Sequence, residues 1–224
     1  MEKGYCNMQL HIDTGNSVLR CAGKVFDPWA LCWEAQDDEV AGSVVISEVN
    51  LQAVTPQEAV RWLFQNQKVR QVPVAVIGAK IASDAECADA EALGKGLAEI
   101  GYTLLTGGRT GVMEAASRGA YEAGGMVLGL LPGDEFETAN PYVTIPLATG
   151  IGPTRNSVIA RSARLLIAVG GGYGTITEMA YGLHYDRPVF ALPSAPVVPG
   201  VVRCEDVDSV LSKIASAFLG LGVN

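Results

Sequence analysis

From Val72 onward the chain alternates short, mostly apolar runs with helix-length amphipathic ones, and this alternation constrains the fold more than any other feature. Strands are expected at Val72–Gly78, Tyr102–Thr106, Met126–Leu131, Tyr142–Ala148, Leu165–Val169 and Val189–Leu192. Between them, helical segments are expected from the Ser83-Asp84-Ala85-Glu86 cap to about Ile100, up to Ala123, over Thr154–Ala163, after Gly174, and over Asp208–Leu219. Strands that are apolar without alternation are buried on both faces, and only a parallel sheet with helices on both sides provides that burial. The expected class is therefore α/β, a Rossmann-like doubly wound parallel sheet over residues 71–224. Such sheets bind ligands beyond the carboxyl ends of their strands.

The first 70 residues read differently. Short alternating runs at Met8–Ile12, Ser17–Phe26, Ala30–Trp33 and Ser43–Leu51 are separated by turn material such as Asp13-Thr14-Gly15-Asn16, which suggests a small β-rich module. It ends in one helix, with Thr55 as N-cap, Pro56 at the first helical position and Glu58 completing a capping box. Trp29, Trp33 and Trp62 all fall here and are expected to share a small core. No chemistry attaches to this module.

Composition narrows the function. The net charge is −8, and lysines and arginines occur only as isolated singles, which disfavours a nucleic-acid partner. No apolar run approaches the ~20 residues that cross a bilayer, and Met1–Cys6 lacks the apolar run of a signal peptide. Five cysteines without a C-x-x-C pair and two histidines offer neither a disulfide framework nor a His-based metal cage. The expected setting is the cytoplasm, without membrane, metal or required cofactor.

Three strand ends run into glycine-bearing turns: Gly78, Gly107-Gly108-Arg109-Thr110-Gly111, and Gly170-Gly171-Gly172-Tyr173-Gly174-Thr175. Glycine at such a turn lets backbone N–H groups approach an anion at the positive end of a helix; it also simply permits tight packing. Two such turns in one sheet favour a phosphate site. Walker A, G-x-G-x-x-G and G-x-S-x-G patterns are all absent. The forty residues Thr138–Thr177 contain no acid, against about four expected from 24 acids in 224, and this suggests a local positive field. Within them Arg155 opens a helix, where a cation opposes the dipole, yet its spacing to Val158 and Ile159 turns it inward. A ligand would explain that placement. Glu178 has two readings: the last residue of a Thr175-Ile176-Thr177-Glu178 capping box, or a functional carboxylate beside the richest glycine turn.

These turns resemble those of the LOG-like proteins of the SLOG Rossmann superfamily, a group often labelled lysine decarboxylases. T-G-G-R-T-G-V-M-E at 106–114 is similar to the family's G-G-x-x-G-L-M turn, and G-G-G-Y-G-T-I-T-E at 170–178 to its P-G-G-x-G-T-x-E-E signature. Arg155, 23 residues before Glu178, falls where the family carries its arginine. The resemblance covers most of 72–192. It implies a phosphoribohydrolase that splits the N-glycosidic bond of a cytokinin or purine nucleoside 5′-monophosphate. Gly171, Gly172, Gly174 and Thr175 would then hold the 5′-phosphate, Arg155 would position the ligand, and Glu178 would stabilise an oxocarbenium-like centre or orient water. Gly78, Gly107, Gly108, Arg109 and Gly111 would complete the ligand site.

Gly170 departs from the signature proline, Asn156 from the lysine that follows the arginine, and Thr177 from the first glutamate. These departures resemble the branch that includes the molybdenum cofactor carrier proteins, which bind a phosphorylated pterin without breaking it. The ligand would then be a nucleotide or the molybdenum cofactor, and whether the chain also hydrolyses it stays open. By the same resemblance the chain would be a homo-oligomer, a dimer or tetramer.

Overall fold

The computed structural model of the chain describes residues 9–35 and 50–222. These fall into two compact units, one formed by the described residues up to Arg70 together with those from Ala215 onward, the other by Gln71–Ile214. The tail from Ala215, assigned above to the second domain, groups with the first unit.

The first unit is an antiparallel sheet of β1 (Leu10–Asp13), β2 (Val18–Cys21), β3 (Lys24–Asp27), β4 (Cys32–Ala35) and β5 (Leu51–Val54), in the order β4-β3-β2-β1-β5, followed by α1 (Pro56–Asn66). The single run expected over Ser17–Phe26 is a hairpin, because Ala22 and Gly23 both take left-handed conformations (φ 48° and 76°) and turn the chain. Met8 and residues 43–49 of the expected strands lie outside the described residues. Helix α1 starts as its sequence dictates: the Glu58 amide donates to Thr55 Oγ1 and the Thr55 amide to Glu58 Oε2. The tryptophans do not form the core. Leu10, Ile12, Leu19, Phe26, Val60 and Leu63 do, while Trp33 lies edge-on to Phe26 and donates to Leu219 O. Trp29 is exposed, with the Arg70 guanidinium 5.0 Å over its ring.

The second unit carries β6 (Val74–Gly78), α2 (Asp84–Ile100), β7 (Leu104–Thr106), α3 (Val112–Glu122), β8 (Val127–Leu131), β9 (Ile145–Ala148), α4 (Arg155–Ser162), β10 (Leu165–Val169), α5 (Tyr173–His184), β11 (Val189–Ala191) and β12 (Val202–Arg203). Helix α6 (Val207–Phe218) runs on past residue 214. The seven strands form one parallel sheet in the order β12-β11-β10-β6-β7-β8-β9. The expected strand at Tyr142–Ala148 is shortened because Asn140 first makes a turn, accepting from the Tyr142 amide on its side chain and from the Val143 amide on its carbonyl.

Strands β6 to β9 step away in one direction. The chain then returns and lays β10 on the other side of β6, with Val169 opposite Gly78. This reversal is a topological switch point, and it leaves a crevice above the strand ends. Below it the sheet is dry: Val74–Val76 and Leu165–Val169 are fully buried. Helices α2 and α3 meet backbone to backbone, since a Cβ on Gly94 would overlap Ala116 O and one on Gly119 would overlap Glu91 O. Gly94→Val is expected to overpack this crossing and cost about 2 kcal/mol, read as a lower urea midpoint at unchanged slope.

Candidate functional site

Strand β10 delivers the chain into the glycine turn. Gly170 and Gly171 take φ of 55° and 104°, conformations that favour glycine. A side chain at 170 would also overlap the Glu86 carboxylate. Proline, confined to φ near −65°, cannot stand there, which accounts for the first departure from the family signature. Helix α5 then begins at Tyr173 with Gly172 as its N-cap, and the first amide bonded back along the helix is that of Ile176, to Gly172 O. The amides of Tyr173, Gly174 and Thr175 therefore have no intrahelical acceptor and form the positive end of the helix. Gly172 and Gly174 leave the approach open: nothing lies within 4 Å of a Cβ built on the first, and only Asn156 Nδ2, at 3.8 Å, near the second.

This start position decides between the two readings of Glu178. Thr175 is the third residue of α5, not its N-cap, so the [ST]-x-x-E pattern forms no capping box. Glu178 instead turns inward, where its Oε1 accepts from Arg155 Nη1 at 3.3 Å. Both residues are buried, with Arg155 9% and Glu178 7% exposed.

Arg155 is the first residue of α4, entered from a 3-10 turn at Gly152–Thr154. It shares its inward face with buried Ile159, whereas Val158 is 37% exposed. Space for the guanidinium comes from Gly107, where a Cβ would sit 2.6 Å from Arg155 Nη2 and 2.7 Å from Met113 Sδ. Arg155 Nε is buried without a hydrogen-bond partner among the described residues. Burial pushes the Glu178 carboxyl up to about 7, with Arg155 only partly holding it down. Burial likewise lowers Arg155, Glu178 opposes this, and the charge of Arg109 adds to the lowering.

The pair lies in a cleft of about 340 Å³ at the switch point, within the range of small-molecule sites. Of the residues expected from sequence, Gly78, Gly107, Arg109, Arg155, Gly172, Gly174, Thr175 and Glu178 line it together. Gly108, Gly111 and Gly171 do not. The Gly108 amide donates to Thr106 Oγ1, and its Cα packs on Leu131 and Gly129. Gly111 (φ 71°) presses the loop after β7 onto the carbonyls of Ala79 and Lys80, and Gly171 abuts the Thr175 side chain. These three shape the loops. Sequence reasoning missed Lys80, Met113 and Pro132 as lining residues. The place of Lys80 and Pro132 just past the ends of β6 and β8, and of Met113 in the first turn of α3, was the available signal.

The other two departures meet in space. Asn156 Nδ2 donates to Thr177 Oγ1 at 3.2 Å and to Gly174 O at 3.3 Å, and Thr177 Oγ1 donates to Gly174 O at 2.7 Å. They clip α4 to the first turn of α5 with neutral groups. Among the described residues lining the cleft, Lys80, Arg109 and Arg155 stand against one carboxylate, Glu178. The arrangement suits an anion. No helix of the described residues is long and apolar enough to cross a membrane.

Comparison with known proteins agrees with this geometry. A molybdenum cofactor binding protein from Rippkaea orientalis superposes with a TM-score of 0.63 at 31% identity, covering 66% of this chain and 98% of its own. The molybdenum cofactor carrier protein of Chlamydomonas reinhardtii superposes with 0.59 at 34% identity, covering 65% and 97%. A cytokinin riboside 5′-monophosphate phosphoribohydrolase of Arabidopsis thaliana is 36% identical over an aligned length of 93, and the match covers 37% of this chain and 40% of that enzyme. An uncharacterised protein of Archaeoglobus fulgidus is 38% identical over 133 residues, 59% of this chain and 87% of its own. The sequence model of the SLOG cluster4 family matches residues 71–214, the whole parallel-sheet unit, and the chain belongs to that family.

Proposed function

We propose that the chain binds a phosphorylated heterocycle in this cleft and holds it without cleaving it, as a cytoplasmic carrier for which the molybdenum cofactor is one fitting cargo. The observation that carries this reading is the open amino end of α5 facing a buried guanidinium with an unused Nε–H. The phosphate would take the amides of Tyr173, Gly174 and Thr175, and Arg155 would donate to an oxygen of the same ligand. With Thr177 in place of a second carboxylate, one acid is left to stabilise positive charge on a ribosyl centre, which favours retention over hydrolysis. The molybdenum-cofactor neighbours point the same way. The exposed stripe Thr177, Ala180, Tyr181 and His184 on α5 would be covered in a homo-oligomer.

A second reading, a nucleoside 5′-monophosphate phosphoribohydrolase, is favoured by Glu178 itself. A carboxyl pushed up to about 7 exchanges its proton at neutral pH, as a general acid or base must. One experiment separates the two. Small molecules released from the freshly purified protein are identified by mass spectrometry, and the protein is then incubated with a panel of nucleoside monophosphates. The expected result is an intact phosphorylated heterocycle and no ribose 5-phosphate. Ribose 5-phosphate release that Glu178→Gln abolishes would establish the enzyme instead.

A further inference from the structure

The positive charge of the cleft is not gathered at the phosphate turn alone: Arg109 and Lys80 line it from other loops. Its phosphate position is at the end of β10, where α5 begins. Arg109 lies on the loop after β7. Strands β7 and β10 flank β6 on opposite sides, so the two loops are about 10 Å apart at ordinary strand spacing.

The Arg109 loop is held before any ligand arrives. Asn140 donates from Nδ2 to Arg109 O at 3.0 Å and from its amide to Gly108 O at 2.9 Å, and Thr110 Oγ1 donates to Lys80 O. The Arg109 guanidinium makes no hydrogen bond or ion pair among the described residues. It faces the same cleft as Arg155, and its charge works against that buried cation. Two like charges around one cavity repel unless an anion lies between them. Glu178 already answers Arg155, and no carboxylate among the lining residues answers Arg109.

We infer that the ligand carries two separated anionic groups, a phosphate at the amino end of α5 and a second oxyanion on the far side of the cleft at Arg109. This rests on the binding reading above and deepens it, since it names the ligand class: a molecule with oxyanions at opposite ends rather than a simple monophosphate. Arg109 is then a specificity-determining residue, and Lys80, between the two loops, adds to the field over both.

The test uses the full chain and three probes: AMP, ADP, and adenosine 3′,5′-bisphosphate, whose phosphates lie on opposite sides of the ribose. Affinities are measured by calorimetry at one salt concentration. The bisphosphate is expected to bind at least tenfold tighter than AMP and clearly tighter than ADP, which has adjacent phosphates. Arg109→Ala should remove that advantage, which as a charge-assisted hydrogen bond is worth about tenfold or more, and should weaken AMP clearly less than it weakens the bisphosphate. Equal affinity for ADP and the bisphosphate would mean that bulk charge alone acts, and the inference falls. It also falls if Arg109→Ala weakens AMP as much as the bisphosphate, although the binding reading then survives. No measurable binding of any of the three overturns the inference, while an intact phosphorylated heterocycle released from the purified protein would still uphold the binding reading.

Discussion

Arg155→Ala is expected to weaken AMP binding at least a hundredfold, the largest effect of any single substitution in the cleft. The guanidinium lines the cleft with a buried Nε–H that has no partner among the described residues, and it sits against Gly107, where no side chain can take its place. Each charge-assisted hydrogen bond it gives a ligand contributes roughly 1.5–3 kcal/mol, so losing two costs two orders of magnitude or more. Arg155→Lys keeps the charge but loses the planar fork, and an intermediate loss of about tenfold is expected. A structural role makes a different prediction. If the Arg155–Glu178 pair served mainly to hold the fold, removing both partners would destabilise it. A buried ion pair, however, commonly loses more in desolvation than it regains, and the elevated Glu178 carboxyl says the same of this one. The double variant Arg155→Met with Glu178→Leu is therefore expected to unfold about 1–4 kcal/mol later in urea than the wild type, and to bind no AMP. A double variant less stable than the wild type would assign the pair to the fold.

How much of this site could be read in the sequence is clearest from three look-alike segments. Thr55/Glu58, Ser83/Glu86 and Thr175/Glu178 share one spacing, and the first two are the capping boxes that spacing predicts. The third is not, because Gly172 starts α5 early and makes Thr175 the third residue of the helix rather than its cap. Propensity rules see the spacing, whereas the start of a helix after a run of glycines depends on how the strand enters the turn. Arg155 was legible for the opposite reason. A cation at a helix start breaks a local rule, and the structure supplies the reason in the cleft and Glu178. The glycine turns were only half legible, since Gly107 and Gly108 are neighbours of one type. One clears space for Arg155 and the other packs on Leu131 and Gly129, and only the path of β7 past β8 separates these roles. The strand-helix alternation gave the parallel sheet, yet the two-residue β12 carries no pattern long enough to register. The tryptophans misled through their size. Their hydrophobic bulk suggested a core, but ring edges that donate or stack under a cation belong at a rim.

Glu178 should make stability and binding respond to pH in linked ways. Its carboxyl rises from 4.5 to about 7 on folding, chiefly through burial. Between those values the folded state binds more protons than the unfolded chain, so stability falls as pH rises through the window. The contribution is intact below 4.5 and lost above 7, and the loss amounts to about 3 kcal/mol at 1.36 kcal/mol per unit. Unfolding free energies from urea melts at pH 5 and pH 8, which span most of that window, are expected to differ by about 2–3 kcal/mol more in the wild type than in Glu178→Gln, which has no proton to lose. Binding follows the same proton. Deprotonated Glu178 repels an anion and competes for Arg155, whereas its protonated form does neither, so AMP affinity should rise several-fold from pH 8.5 to 6.5. Over that range the phosphate itself stays largely dianionic, its second pKa being about 6, and Glu178→Gln should flatten the profile at the tight-binding level. A wild-type profile that is itself flat, or a slope that survives Glu178→Gln, would show that the titrating group lies elsewhere. The carboxyl would then be a bystander to the cleft rather than the group that sets its charge.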